Sequence, residues 1–237
     1  MAEANTKKRK ITTTLLAGPP YVGKTTILEK FHEFLKATTH FIEDRELIFG
    51  RTRFVDRLFV GPQKIEENEI YHIFYAYGGQ DWLSTNRRVV LSRVNPDLLV
   101  FVCNTQKPTK ELDERLSYKM NNFYWDELSI VENIGRKLYE IPKVIVLNKM
   151  DLPTIAPTAT ILSQLGLNPS IIIETDGTVS YPKDLEGKIF SIEDETFMKY
   201  FLSTDSVPVF KTVAINGENL ENLLSAILTV QTFLTLL

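Results

Sequence analysis

Gly18-Pro19-Pro20-Tyr21-Val22-Gly23-Lys24-Thr25 is the stretch on which the fold turns. An apolar run, Ile11–Ala17, precedes it and predicts a short buried strand. After it, Lys24–Lys36 predicts a helix, with Ile27, Leu28, Phe31 and Leu35 on one face. Strand, loop and helix in this order are the setting in which G-x-x-x-x-G-K-[ST] has a mechanism. Backbone N–H groups of the loop and helix start face one anion, and the helix dipole favours its negative charge. The candidate phosphate-binding residues are therefore Gly18, Pro19, Pro20, Tyr21, Val22, Gly23, Lys24, Thr25 and Thr26. The Lys24 ammonium can reach the outer phosphates, and the Thr25 hydroxyl can ligate Mg2+. Pro20 and Tyr21 stand where glycine is common, so they narrow the loop's freedom and bring an aromatic ring near the terminal phosphate.

Beyond the loop, strand-like and helix-like segments alternate. Phe54–Val60 and Ile70–Ala76 flank Gly61-Pro62 and a polar Glu66-Glu67-Asn68 turn, which predicts a hairpin. Leu98–Cys103 and Lys143–Leu147 are continuous apolar runs, as strands buried on both faces should be. Residues 109–139 predict a long helix, Val207–Ala214 a last strand and Leu220–Leu236 a last helix. Alternation of this kind predicts an α/β fold: a mostly parallel central sheet with helices on both faces. The hairpin would add one antiparallel edge strand. Residues 153–206 interrupt the alternation and read as an insertion with its own small hairpin around Asp176-Gly177, between Ile171–Ile173 and Val179. Residues 1–10, with Lys7-Lys8-Arg9-Lys10, read as a flexible basic N-terminus, and 11–237 as a single domain carrying the insertion.

Composition narrows the classes. The 237 residues are 43% hydrophobic and 24% charged, enough apolar content for a real core. Basic residues number 27 against 30 acidic, which argues against nucleic-acid binding by bulk electrostatics. A single cysteine, Cys103, precludes an intrachain disulfide and predicts a reducing, cytoplasmic setting. No apolar run approaches a membrane span, no signal-peptide core follows Met1, and neither Ala2 nor the C-terminus fits a lipidation motif, so no stable membrane insertion is expected. His32, His40 and His72 are scattered without zinc-ligand spacing.

A second motif closes the run Lys143–Leu147. Asn148-Lys149-Met150-Asp151 places N-K-x-D at the carboxyl end of a buried strand, the edge at which open α/β sheets bind ligands. The Asp151 carboxylate can accept from the ring N–H and the exocyclic amine of guanine, a pair that adenine lacks. A site built on such hydrogen bonds rejects the wrong partner by about 10⁴ or more.

The two motifs, in this order, resemble the Ras-like small GTPases, over about residues 11–152 and 207–236. The resemblance implies a P-loop G domain that binds GTP or GDP with Mg2+ and hydrolyses GTP as a molecular switch, in regulation of the polarity, motility or trafficking type. Thr212-Val213-Ala214-Ile215-Asn216-Gly217 resembles the family's E-T-S-A-K-x-G segment, which implies that the Ala214 N–H meets the guanine oxygen, with Ile215 beside it. Glu174-Thr175 is a rival for that segment; 212–217 has the better context, a strand before and a helix after. Ala76-Tyr77-Gly78-Gly79-Gln80 resembles D-x-x-G-Q, with Gly79 at the nucleotide and Gln80 orienting the attacking water. Ala76 occupies the place of the family's aspartate, which orients water on Mg2+. The prokaryotic MglA gliding-motility GTPases also lack that aspartate, and Arg87–Leu91 and Leu98–Asn104 are similar to that branch. Of Thr38, Thr39 and Thr52, Thr52 lies where the family's second metal-binding threonine lies, and Arg51 where the MglA branch carries an internal arginine finger. The resemblance thus implies Lys24, Gln80 and Arg51 as catalytic, Thr25 and Thr52 as metal ligands, and a roadblock-fold, MglB-like activating partner. Two rival readings stand beside it: a non-hydrolysing guanine-nucleotide-binding scaffold, and an ATP-using P-loop enzyme.

Overall fold

A computed structural model of the chain describes residues 8–19, 21–37, 44–48, 55–65, 67–77, 94–105, 141–152, 157–165, 167, 169–180 and 207–236. β1 (Lys8–Ala17) pairs in parallel with β4 (Asn68–Tyr77) on one side and β5 (Leu98–Asn104) on the other. Outside β4 lie β3 (Val55–Ile65) and then β2 (Asp44–Ile48), each antiparallel to its neighbour. Outside β5 lie β6 (Lys143–Asn148), β9 (Val207–Lys211) and β7 (Pro169–Ile173), all parallel, and the two-residue β8 (Val179–Ser180), antiparallel to β7. The described strands form one nine-stranded sheet in the order β2-β3-β4-β1-β5-β6-β9-β7-β8.

The expected α/β sheet is present, with two corrections to the single antiparallel edge strand. β3 is antiparallel yet lies inside the sheet, because β2 covers it; the opposite edge ends on antiparallel β8. β2 escaped the pattern because its first three residues, Asp44-Arg45-Glu46, are charged. The hairpin of the 153–206 segment forms around Asp176-Gly177, but it belongs to the main sheet. Ile172 and Ile173 pair with Val209 and Phe210, covering an edge that β9 would otherwise leave open. The other expected strands form with shifted ends. β1 begins at Lys8, so part of the basic N-terminus is strand, and Lys8, Arg9 and Lys10 register with Asn68, Glu69 and Ile70. β9 stops at Lys211, leaving Thr212–Ala214 as the turn that leads into the last helix. The expected helix at 109–139 lies outside the described residues.

Helices cover both faces. α1 (Lys24–Ala37) and α3 (Leu220–Leu236) share one core with Leu16, Phe74, Val100, Val146 and Phe210. Phe31 of α1 meets Phe74 edge to face at 5.7 Å, the arrangement that aromatic quadrupoles favour. α2 (Thr158–Gln164), which the sequence pattern did not reveal, puts Ile161 and Leu162 against Leu15, Phe101, Ile145 and Val209 on the other face. β1, β5, β6 and β9 alternate their side chains between these two cores, which is why the central strands read as unbroken apolar runs.

One polar cluster interrupts the α3 core. His72 is fully buried; its Nδ1 lies 2.8 Å from Thr12 Oγ1 and 2.9 Å from Gln231 Oε1, and its Nε2 lies 3.0 Å from Gln63 Oε1. Gln231 of α3 also donates to the Thr14 hydroxyl. Burial lowers the His72 pKa from 6.5 to about 4, against the raising effect of the Gln231 contact, so the ring is neutral at neutral pH.

Candidate functional site

Strand order reverses at β1: the crossover through α1 leads to β2 at the edge and back through β3 to β4 on one side, and the chain then returns to β5 on the other. Outside the carboxyl end of such a strand lies the crevice in which open α/β sheets take ligands. The loop 18–23 sits there. Gly18 has φ +136°, and a Cβ on it would lie 2.3 Å from the Val102 carbonyl oxygen of β5. Gly23 has φ +99°, and its Cβ would lie 2.4 Å from Asn148 Nδ2 of β6. Both glycines are therefore required by close approach as well as by backbone angle. Tyr21 also adopts a left-handed angle, φ +64°, without glycine's freedom, and the residue is 83% exposed. Pro20 lies outside the described residues.

Lys24 is buried at the start of α1, and its ammonium donates to the Gly18 and Pro19 carbonyls, each at 2.7 Å. The charge is thus held inside the curve of its own loop. Thr26 is half-buried in the first turn of α1, and Val22 is buried beneath the loop.

Asn148 joins the loop to the rest of the site. Its Nδ2 donates to the Val22 carbonyl at 2.7 Å, while its Oδ1 accepts from the Ala214 N–H at 2.9 Å and the Thr212 hydroxyl at 3.2 Å. The Thr105 hydroxyl, just beyond β5, donates to the Asn148 carbonyl at 2.7 Å. Thr212 and Leu147 bond across β6 and the turn after β9, and the Met150 N–H donates to the Thr212 carbonyl. Val22 and Gly23, Asn148 and Met150, and Thr212 and Ala214, far apart in sequence, therefore meet at one edge. Lys149 takes a left-handed φ of +65°, turning the chain so that Asp151 is exposed just past β6. Ala214 is buried, and its N–H, expected to meet a guanine oxygen, is here bonded to Asn148; Ile215 next to it is 76% exposed. Glu174, in the rival segment, is instead paired with Lys211 at 2.8 Å.

Thr25 supplies the geometry that the motifs did not foretell. Its hydroxyl donates to Asp56 Oδ2, on β3, at 2.8 Å. Asp56 lies directly opposite Ala76 in the antiparallel β3–β4 pair. A hydroxyl and a carboxylate are hard oxygen donors, and their chemistry fits Mg2+ better than a softer metal. Asp56 could have been found in the sequence: Leu58 and Val60, two and four residues on, are core residues, so Asp56 puts a carboxylate on a core-facing row. Thr105 carried no such signal. Among the described residues no group of three or more His, Cys, Asp or Glu side chains is placed to hold a metal by itself. Arg51, Thr52, Gly79 and Gln80 lie outside the described residues, as do Thr38 and Thr39. No helix among the described residues is long and apolar enough to cross a membrane.

No known protein-family model matches the chain, and no curated protein is similar to it in sequence.

Proposed function

We propose that this chain is a P-loop G domain that binds GTP and GDP with Mg2+ and hydrolyses GTP as a molecular switch. The observation that carries the reading is the position of Asn148. One buried side chain bonds both the loop that carries the phosphate motif, at Val22, and the loop that carries the base-reading segment, at Ala214. A strand followed by a charged turn has no reason to tie those two loops together. A single nucleotide laid along this edge would have its phosphates at Gly18–Thr26 and its base at Asn148, Lys149, Asp151, Ala214 and Ile215. To bond the base through its own N–H, Ala214 would exchange its bond to Asn148 for one to the ligand.

In this reading Lys24 leaves one of its loop carbonyls for the outer phosphates, where its charge offsets what develops during transfer. The loop amides and the α1 N-terminus hold the phosphates, and Thr25 with Thr52 would hold the ion. Mg2+, when bound, neutralises charge on the phosphate oxygens. Gln80 would orient the attacking water, and Arg51 would add charge in cis when a roadblock-fold partner holds the switch. The cytoplasm is the compartment that the single, buried Cys103 suits.

Ala76 favours a second reading, a guanine-nucleotide-binding scaffold that does not hydrolyse. It leaves β4 with no carboxylate at the position from which the family holds water on the ion. Two measurements decide. Competition between GTP and ATP for the purified protein tests the base reading: GTP should displace a labelled guanine nucleotide at far lower concentration, and equal competition refutes it. Single-turnover GTP cleavage, alone and with a roadblock-type protein, separates the switch from the scaffold. Cleavage that Gln80→Leu abolishes supports the switch; a wild type that binds GTP and never cleaves it leaves the scaffold.

A further inference from the structure

We propose that Asp56, on β3, supplies the carboxylate of the Mg2+ site beside Thr25, in place of the one that Ala76 lacks on β4. The inference rests on the guanine-nucleotide reading and adds to it a residue that no motif assigns.

Three observations converge. Asp56 and Ala76 are partners in the antiparallel register. Side chains directly opposite in such a pair have Cβ atoms about 4.5–5.5 Å apart on one face. That face is the one toward α1: Ala76, Phe74, Leu58 and Val60 all pack with Val22, Ile27 and Phe31. A carboxylate at position 76, where the resembled family has one, and the one present at position 56 would therefore look into the same space. The Asp56 carboxylate reaches the hydroxyl of Thr25, at 2.8 Å, and Thr25 is the residue that the phosphate-loop motif assigns to the ion. Finally, Asp56 is only half-buried, and the Thr25 side chain is exposed. The carboxylate can thus exchange its hydroxyl partner for water without being stranded in the core. Mg2+ keeps several waters and is commonly held through one or two carboxylates besides phosphate. From its position Asp56 would accept hydrogen bonds from that hydration shell, orienting the ion while Thr25 touches it.

The structural alternative is that Asp56 only pins Thr25 and the start of β3. Asp56→Asn separates the two roles, because the amide oxygen still accepts from Thr25 while the charge is gone. The measurement is Mn2+ affinity of the full-length protein's GDP complex, read by electron paramagnetic resonance, with melting in EDTA alongside. Loss of a group that orients a metal's shell typically costs 10–100-fold in affinity. Asp56→Asn should therefore bind Mn2+ at least about tenfold more weakly while melting near wild type in EDTA. Adding Ala76→Asp to that variant should restore Mn2+ affinity, since the carboxylate returns from the facing strand. Ala76→Asp alone gives a second test. It sets two carboxylates opposite each other, so the protein should melt lower in EDTA and recover when Mn2+ and GDP are added. Wild-type Mn2+ affinity in Asp56→Asn overturns the proposal. So does a loss that Ala76→Asp does not repair, or an Ala76→Asp protein that Mn2+ fails to rescue. Failure of wild-type protein to bind GDP with or without metal is a different result, and refutes the nucleotide reading itself.

Discussion

Asn148→Ala removes the side chain on which the two loops of the site meet. It takes away the bond to the Val22 carbonyl at 2.7 Å and those from the Ala214 N–H at 2.9 Å and the Thr212 hydroxyl at 3.2 Å. A buried polar group left without a partner costs about 1–3 kcal/mol. The Val22 carbonyl and Ala214 N–H are both stranded, whereas the Thr212 hydroxyl can rotate, so the loss should be about 3–4 kcal/mol. In a domain of this size each kcal/mol moves the melting temperature by about 2–4 °C, which predicts a fall of about 10 °C. Gly23 supplies the cross-check. A Cβ there would lie 2.4 Å from Asn148 Nδ2, at a φ of +99°. In wild type Gly23→Ala suffers both the collision and the backbone strain; beside Asn148→Ala it suffers the strain alone. The two substitutions should then cost less together than their sum, by about 1–3 kcal/mol, as for residues in contact. The assay is thermal melting of the wild type, both single variants and the double, with guanine-nucleotide affinity measured on each. Strictly additive costs, or an Asn148→Ala protein that melts like wild type with unchanged affinity, would refute the claim that Asn148 ties the loops together.

Stability should fall on acidification through His72. The unfolded chain takes up a proton near pH 6.5, while the folded ring stays neutral down to about pH 4. Stability is therefore full above pH 6.5 and declines as pH falls towards 4, by about 3 kcal/mol; His72→Gln should flatten that part of a melting-versus-pH curve, and an unchanged slope would remove His72 as the cause. Tyr21→Gly should raise stability by up to about 1 kcal/mol by relieving the left-handed angle at this exposed position, and a lower melting temperature would show that the ring is needed for packing. Asp151→Asn should weaken guanine nucleotides and strengthen xanthine nucleotides, whose C2 carbonyl accepts from the new amide; titration with labelled GDP and XDP shows it, and equal loss of both counts against a base contact at this residue.

Local signals carried much of the architecture. The last helix was legible because α3 buries Leu220, Leu223, Leu224, Ile227 and Val230 at helical spacing. The strands β5 and β6 were legible because both of their faces are core, leaving runs with no polar interruption. The strings Gly18–Thr25 and Asn148–Asp151 could be picked out as candidate site segments because each is short and has its own context, a strand before it and, for the first, a helix after it. What stayed hidden depends on long-range pairing. Nothing in Ile171–Ile173 says that its neighbour is β9, and the β2 ladder is a choice made by β3. α2 begins after Pro157 with no side-chain capping bond and spans only seven residues, too short for a periodic pattern to stand out. In the site, the two motifs could be read separately, but not the bond between Asn148 and Val22, nor Thr105 beneath the Asn148 carbonyl.

The insertion bears on the site through the same long-range pairing. β7 is the neighbour of β9, and β9 delivers Thr212–Ala214 to Asn148. Two further links reinforce that contact. Glu174, just past β7, pairs with Lys211 at 2.8 Å, and the Asn219 amide donates to the carbonyls of both Ile173 and Lys211. The Lys211–Glu174 pair is partly buried, so it is less screened than a fully exposed ion pair. The last residue of β9 is thus held from the insertion side, while Thr212 and Ala214 are held from the β6 side. Asn219 adopts φ +58° at the start of α3, so the helix that follows is set by the same bonds. Residues 169–174, which interrupt the strand–helix alternation in sequence, thereby become, in space, one wall of the turn that carries Thr212–Ala214. For that reason the length of the 153–206 segment is a poor guide to its importance: closing a shorter loop would cost little by chain entropy, but it would remove the ladder and the ion pair that fix Lys211.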